Sequence, residues 1–183
     1  KYVAKETFGK LEFDINGHKV NMEGKWKKID YTETIKKEMG VDISKATNED
    51  LKKKLNELKI KFEKTVGRGR LIDLLWKVVR KTVSGPVFLV GHPVEVSPLA
   101  KRIENNPNFV EQYQVILAGS EMGKGYSELN DPIDQANRFE EQQKLRDEGD
   151  VEAQMNDWDF VRALEYGMPP VSGFGVSERL FSF

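Results

Sequence analysis

Hydrophobic positions over residues 1–30 recur at the period of a β-strand. Leu11, Phe13 and Ile15 alternate with Glu12 and Asp14, Asn16-Gly17 interrupts, and Val20 and Met22 resume the alternation. Both central positions of a two-residue hairpin turn need positive φ, which Asn-Gly tolerates, so a hairpin is expected. Trp26 and Ile29 mark another short extended piece. From Asp30 the period becomes helical. Asp30 is placed to cap a helix running through Ile35 and Met39, with Gly40 to end it. Thr47-Asn48-Glu49-Asp50 resembles a capping box, and Leu51, Leu55 and Leu58 follow on one helix face. This segment is rich in lysine, which suits a solvated amphipathic helix or an insert that contacts RNA.

Gly67-Arg68-Gly69 breaks the pattern. Leu71, Leu74, Leu75 and Val78 then fall at i, i+3, i+4 and i+7, the spacing of a buried helix face, until Ser84-Gly85-Pro86. Val87 to Val90 is a continuous apolar run between turn residues, read as a fully buried strand, and Tyr113 to Ala118 is a second. Gly119 to Asn130 reads as extended. Asp131-Pro132 starts a helix that should reach about Glu148, where Gly149 stops it. Asp157 caps another, with Phe160, Val161 and Leu164 inward and Gly167 as terminator. Pro169-Pro170 forces an extended connection into the glycine-rich stretch Ser172 to Val176. A helix is expected from Ser177, cut off at Phe183. Strands and helices mix without βαβα alternation, which favours an α+β fold with an antiparallel sheet.

Composition narrows the function classes. A chain of 183 residues is one domain by length, and it can bury roughly 70% of the surface its unfolded form exposes. Hydrophobic residues make up 38% and charged residues 32%, which argues against disorder. The net charge of -1 lacks the basic excess of a strong nucleic-acid binder, so any RNA contact is local or lies elsewhere. The absence of cysteine removes disulfides, thiolate metal sites and cysteine nucleophiles, and fits a reducing, cytoplasmic setting. The run Val87 to Val90 is far too short to cross a bilayer, and no secretory signal pattern is present. The chain starts at Lys1 rather than methionine and is read as a segment whose natural start lies elsewhere.

Candidate chemistry concentrates in three places. In Glu121 to Asp131, the strand period puts Lys124, Tyr126 and Glu128 on one face, with Gly123 and Gly125 on the other. Glycines in a strand let a backbone or a ligand come close. A carboxylate, an aromatic ring and a cation on one face suit a small zwitterion, whose ammonium needs a carboxylate partner. An internal Lys124–Glu128 ion pair on an exposed face is the alternative. In Gly173 to Arg179, a glycine-rich strand lets a flat ring or phosphate approach the backbone, and Arg179 is a bidentate donor for phosphate. A glycine bulge with an arginine salt bridge is the alternative there. In Gly91 to Ala100, two prolines fix a loop; His92 is read as structural, and His18 as a surface residue. Spacing suggests neither a serine–histidine–acid set nor a metal-binding histidine pair.

Taken in order, these segments resemble the class II lysyl-tRNA synthetases. The likeness rests on His92 to Lys101, on Tyr126 to Pro132 with Gln135 and Phe139, on Ala163 to Pro170, and on Gly173 to Arg179, which resembles the third class motif. It is clear from about Gly67 to Arg179. It implies an incomplete class II fold, an antiparallel sheet flanked by helices, with residues 1–66 as hairpin and helical insert and 67–183 as core segment. It implies activation of L-lysine by ATP to lysyl-adenylate, transfer to tRNA(Lys), a magnesium ion, and a homodimeric full-length enzyme without membrane attachment. By position, Glu128 corresponds to the partner of the substrate ε-ammonium, Tyr126 to the ring beside it, and Lys124 to a group near the α-carboxylate. Glu121 corresponds to an ATP-linked magnesium ligand, and Gly173 and Gly175 to residues near the adenosine. Arg179 corresponds to the catalytic arginine on ATP phosphate.

Several positions depart from the family pattern. Lys124 stands where the family usually has asparagine, and Gln114 where a second magnesium carboxylate is usual. The third motif is one residue short before Glu178-Arg179. Motifs 1 and 2 and the anticodon-binding domain do not fall within the chain, so the isolated chain is expected not to form lysyl-adenylate at a useful rate. A related aspartyl- or asparaginyl-type synthetase and a noncatalytic paralogue acting as a binding module are the competing readings.

Overall fold

The computed structural model describes residues 1–63 and 65–181, with side chains described as far as Arg179. Strands β1 (Glu12–Ile15) and β2 (His18–Asn21) form the expected antiparallel hairpin, with Asn16 at φ 51° and Gly17 at φ 81° in its turn. A short helix α1 (Tyr2–Phe8) precedes it where the sequence pattern suggested only strand period. It has no side-chain cap and buries only Ala4, so packing against the hairpin rather than local propensity sustains it.

Strand β3 (Lys27–Asp30) leads into α2 (Tyr31–Met39), where Asp30 accepts the Glu33 amide hydrogen bond at 2.9 Å and Gly40 closes the helix at φ 71°. Helix α3 (Asn48–Glu57) carries both halves of the Thr47–Asp50 capping box. Helix α4 (Arg68–Val79) starts at Gly67, so Gly67-Arg68-Gly69 opens a helix instead of breaking one. Gly69 is required there by space: a Cβ would lie 2.1 Å from the Glu95 carbonyl oxygen. The buried face of α4 is Leu71, Ile72, Leu75, Trp76 and Val79, with Leu74 and Val78 only half-buried. The expected face is thus rotated, because α4 is wedged between α2, α3 and the sheet and Trp76 needs the larger space.

Strand β4 (Val87–Val90) buries only Leu89 fully, contrary to expectation. Strands β5 (His92–Pro93), β6 (Arg102–Ile103) and β7 (Asn106–Val110) make a small antiparallel sheet in the order β5-β7-β6. Strands β8 (Gln112–Leu117) and β9 (Ser120–Ser127) turn at Ala118 and Gly119. Helix α5 (Pro132–Asp147) is capped by Asp131, and α6 (Trp158–Glu165) by Asp157. In α6 Val161 and Leu164 are buried as expected, but Phe160 sits at the surface with its ring edge-on to Phe139, 6.4 Å away. Strand β10 (Ser172–Val176) precedes a 3-10 turn over Glu178–Phe181 where an α-helix was expected; Ser182 and Phe183 lie outside the described residues.

The main sheet has the order β10-β9-β8-β4-β3. Its neighbours are antiparallel except β3 and β4. That pair is parallel because α2, α3 and α4 form a crossover between its strands. The helices bury one face of the sheet: Leu51, Leu55, Leu71, Leu75 and Trp76 join Leu89 and Ile116 in one cluster that runs across residue 66. On the reverse face the hairpin and α1 cover Leu117, Ala118 and Met122. Past α4, the helix-bearing face continues over β8, β9 and β10 with polar residues.

A candidate active-site shelf on three strands

Strand register defines the shelf. Gln114 pairs with Lys124 and Gln112 with Tyr126 across β8 and β9. Gly175 pairs with Lys124 and Gly173 with Tyr126 across β9 and β10. Directly opposite residues of antiparallel strands project to the same face, so these six share one side. The other side carries aromatic rings. A Cβ on Gly125 would lie 2.8 Å from the Tyr113 ring, and one on Gly123 would lie 2.8 Å from Phe174. The chain's own rings therefore claim the space beside Gly123 and Gly125. By contrast, the nearest atom to a Cβ on Gly173 is Glu128 Oε1 at 3.4 Å, and on Gly175 the Lys124 carbonyl oxygen at 4.0 Å. On the polar side the glycines of β10 leave the shelf open.

Glu121 reaches the same face through a register shift. Val115 pairs with Gly123, but Ile116 pairs with Glu121, leaving Met122 as the extra residue of a bulge. The bulge resets the alternation, and Glu121 turns toward α4, where Trp76 Nε1 donates to its Oε1 at 3.2 Å.

Glu128 lies just past β9. Its amide donates to the Val171 carbonyl at 2.9 Å, its backbone bridges to Ala100, and its carboxylate reaches over Gly173. Burial raises the Tyr126 phenol pKa, and the Glu128 charge raises it further. Lys124 Nζ stands 5.3 Å from the Tyr126 ring centroid, within cation–π range. Among the described residues no ion pair joins Lys124 to Glu128, so the internal-pair alternative is not what the strand face forms. Lys124 is exposed as a residue, yet desolvation beside the sheet lowers its ammonium pKa, against the pull of Glu121 and Asp73.

Three neighbours of this face were not among the expected site residues. His92 is buried, pairs through Nε2 with Gln114 Oε1 at 3.2 Å, and sits 5.1 Å from the Tyr31 ring. Burial pushes its pKa down to about 4, the Gln114 bond opposing and the Lys124 charge assisting, so it is neutral near pH 7. Tyr31 packs on Trp76 at 5.0 Å, and burial, with Asp73 and Glu121, raises its phenol. Asp73 binds Arg70 and Lys77 at 3.2 and 2.8 Å. Asp73, set among the apolar residues Leu71, Ile72, Leu74 and Leu75, was one available signal; Tyr31 gave none. His18, expected at the surface, is partly buried with Nδ1 3.1 Å from Ser84 Oγ.

Arg179 lies on the final 3-10 turn, exposed. The Ser177 amide bonds to the Met122 carbonyl at 2.9 Å, which docks that turn at the Glu121 end of β9. Glu128 and Arg179 thus mark opposite ends of the shelf. Between Lys124 and Glu128 the strand path is about 13 Å.

The donor set does not fit a magnesium ion held by protein carboxylates. Gln114 is neutral and its carbonyl oxygen faces His92. One oxygen of Glu121 accepts the Trp76 bond. Among the described residues no three metal-ligating side chains converge, and the Lys124 ammonium shares the face with Glu121.

A family model for tRNA synthetases class II (D, K and N) matches residues 1–183, including the hairpin and helices before Gly67. The lysine–tRNA ligases of Thermotoga sp. (strain RQ2) and Thermotoga maritima are each 44% identical over 182 residues, covering 99% of this chain and 36% of the relative. That of Halalkalibacterium halodurans is 38% identical over 177 residues, covering 96% and 35%. The chain therefore spans about a third of the length of the relatives it matches. With its largely antiparallel sheet, its glycine-flanked polar shelf and a family match from end to end, the chain belongs to the class II tRNA synthetases of the D, K and N group.

Proposed function

We propose that this chain provides the amino-acid-binding and part of the ATP-binding surface of a lysine–tRNA ligase. The whole protein would activate L-lysine with ATP to lysyl-adenylate and pyrophosphate, then pass the lysyl group to tRNA(Lys). The observation that carries this reading is the Glu128 carboxylate beside the Tyr126 ring on an open, glycine-bordered face. A substrate ε-ammonium loses hydration there and regains a charge partner and an aromatic wall. Lys124, four residues along the strand, meets the α-carboxylate. The lysine carboxylate oxygen then attacks the α-phosphorus of ATP as pyrophosphate leaves. Gly173 and Gly175 let the adenosine lie flat against β10, and Arg179 donates to phosphate oxygens at the far end. Class II synthetases use magnesium with ATP, and Glu121 lies at the end of the shelf where the phosphates would sit. A homodimeric, cytoplasmic full-length enzyme is part of the proposal, and no described helix is long and apolar enough to cross a membrane.

A noncatalytic paralogue is the second reading. It is favoured by Lys124, whose ammonium already lies over the Tyr126 ring. Aspartyl- and asparaginyl-type specificity is less suited, because the Tyr126–Glu128 pair matches a cationic side chain. Thermal shift of the chain with lysine, aspartate, asparagine and ATP separates these readings. Stabilisation by lysine and ATP is expected; stabilisation by aspartate or asparagine instead would contradict lysine specificity, and no shift with any ligand would support the paralogue.

A further inference from the structure

The proposed lysine site leaves one pairing unexplained. Gln114 and Lys124 stand directly opposite each other in β8 and β9. One is neutral and the other a full cation. Behind them His92 is buried and its Nε2 engages the Gln114 oxygen, so that oxygen is turned away from the open shelf. Glu121 spends one oxygen on Trp76, and Asp73 is bound to Arg70 and Lys77. A dication between Glu121 and Gln114 would have one free carboxylate oxygen, an engaged amide and an ammonium neighbour. A dication and an ammonium on one face repel each other. The Lys124 charge is instead available at an open edge, because neither Gly173 nor Gly175 carries a side chain to cover it.

Resting on the reading above, we infer that Lys124 replaces a protein-held divalent cation at this end of the shelf. Its ammonium is the counter-ion for the anionic oxygens that arrive there, those of a polyphosphate or of the substrate carboxylate. Local charge is then balanced by Glu121 and Lys124 without a metal bound to the protein. Gln114 follows from the same logic: a carboxylate at that position would pair with Lys124 and draw it away from the ligand, whereas an amide held by His92 does not.

Three titrations of the 183-residue chain test this. Manganese alone, followed by electron paramagnetic resonance, should bind weakly. The Gln114→Glu/Lys124→Asn double variant should bind it roughly tenfold or more tighter. Metal-free pyrophosphate, followed by calorimetry, should bind the unmodified chain, weaken about tenfold in Lys124→Gln, and recover in Lys124→Arg. Lysine titrated into Lys124→Gln identifies the oxygen source: weakening of lysine alone assigns the carboxylate and supports the inference as well. Manganese affinity of the unmodified chain equal to that of the double variant would overturn it. So would pyrophosphate and lysine both indifferent to Lys124→Gln. Tight manganese binding with normal lysine binding sinks only this inference, whereas no lysine binding by the unmodified chain sinks the function proposed above.

Discussion

Tyr126 stands between charges of opposite sign, Lys124 before it on β9 and Glu128 after it, and its ring contacts the first while its phenol feels the second. Two glycine pairs beside it do opposite jobs. Gly123 and Gly125 make room for Phe174 and Tyr113, so Gly125→Ala should destabilise the fold by about 1–3 kcal/mol through overpacking. Gly175→Ala points into open space and should change stability by less than about 0.5 kcal/mol, while obstructing the adenosine surface. Urea melts of both variants, paired with ATP titration, check this: loss of stability in both, or in neither, would show that the two faces are wrongly assigned. The shared face of Lys124 and Tyr126 was legible in the sequence because strand alternation is local. Glu121 was not legible from alternation, since the Met122 bulge shifts its parity. His92 was read as structural, since its link to Gln114 crosses from β5 to β8.

Elements with chemistry in their own sequence were the most readable. Asp30, Thr47, Asp131 and Asp157 all cap the helices they announce. Thr47→Ala should cost about 1 kcal/mol in α3, seen as a lower chemical-denaturation midpoint; an unchanged midpoint would mean that the capping box contributes nothing. The parallel β3–β4 pair and the rotated face of α4 depend on how three helices pack together, which no local period encodes. Helix α5 has a role that spacing did not reveal. Its buried Arg138 donates to the Ala100 carbonyl at 2.7 Å and to Asp134 at 2.7 Å, while Arg102 also binds Asp134 at 2.9 Å. This clamps the loop whose Ala100 bridges to Glu128. Burial alone would raise the Asp134 pKa, but the hydrogen bonds from Arg138 and Arg102 outweigh it and hold the carboxyl below its usual value. A carboxyl depressed on folding stabilises fully above its unfolded pKa of about 3.9 and loses that contribution as pH falls through the lower folded value. Thermal stability should therefore drop below about pH 4, and Asp134→Asn should flatten that part of the profile. An identical acid limb in the variant would remove Asp134 from the account.

Across the whole molecule, the two faces of the main sheet differ in character. The polar shelf occupies one. The reverse carries a row of aromatic rings, Trp26 to Phe88 at 5.5 Å, Phe88 to Tyr113 at 5.9 Å and Tyr113 to Phe174 at 5.8 Å. Phe174 and Val176 are 54% and 53% exposed there. Contiguous exposed apolar surface favours association, so sedimentation of the 183-residue chain should depend on concentration, and Phe174→Ser should reduce that dependence. Ideal monomeric behaviour at every concentration would contradict this. The α+β class, the hairpin and the order of elements followed from patterning, whereas the division of the sheet into a ligand face and an aromatic face needed the register.

The most direct measurement is calorimetric titration of lysine into the chain and into Glu128→Gln, a change that keeps shape and removes charge. Measurable binding by the unmodified chain is expected, with a loss of about 2 kcal/mol or more in the variant and ATP binding unaltered. Equal lysine affinity in the two proteins would mean that Glu128 does not receive the ammonium.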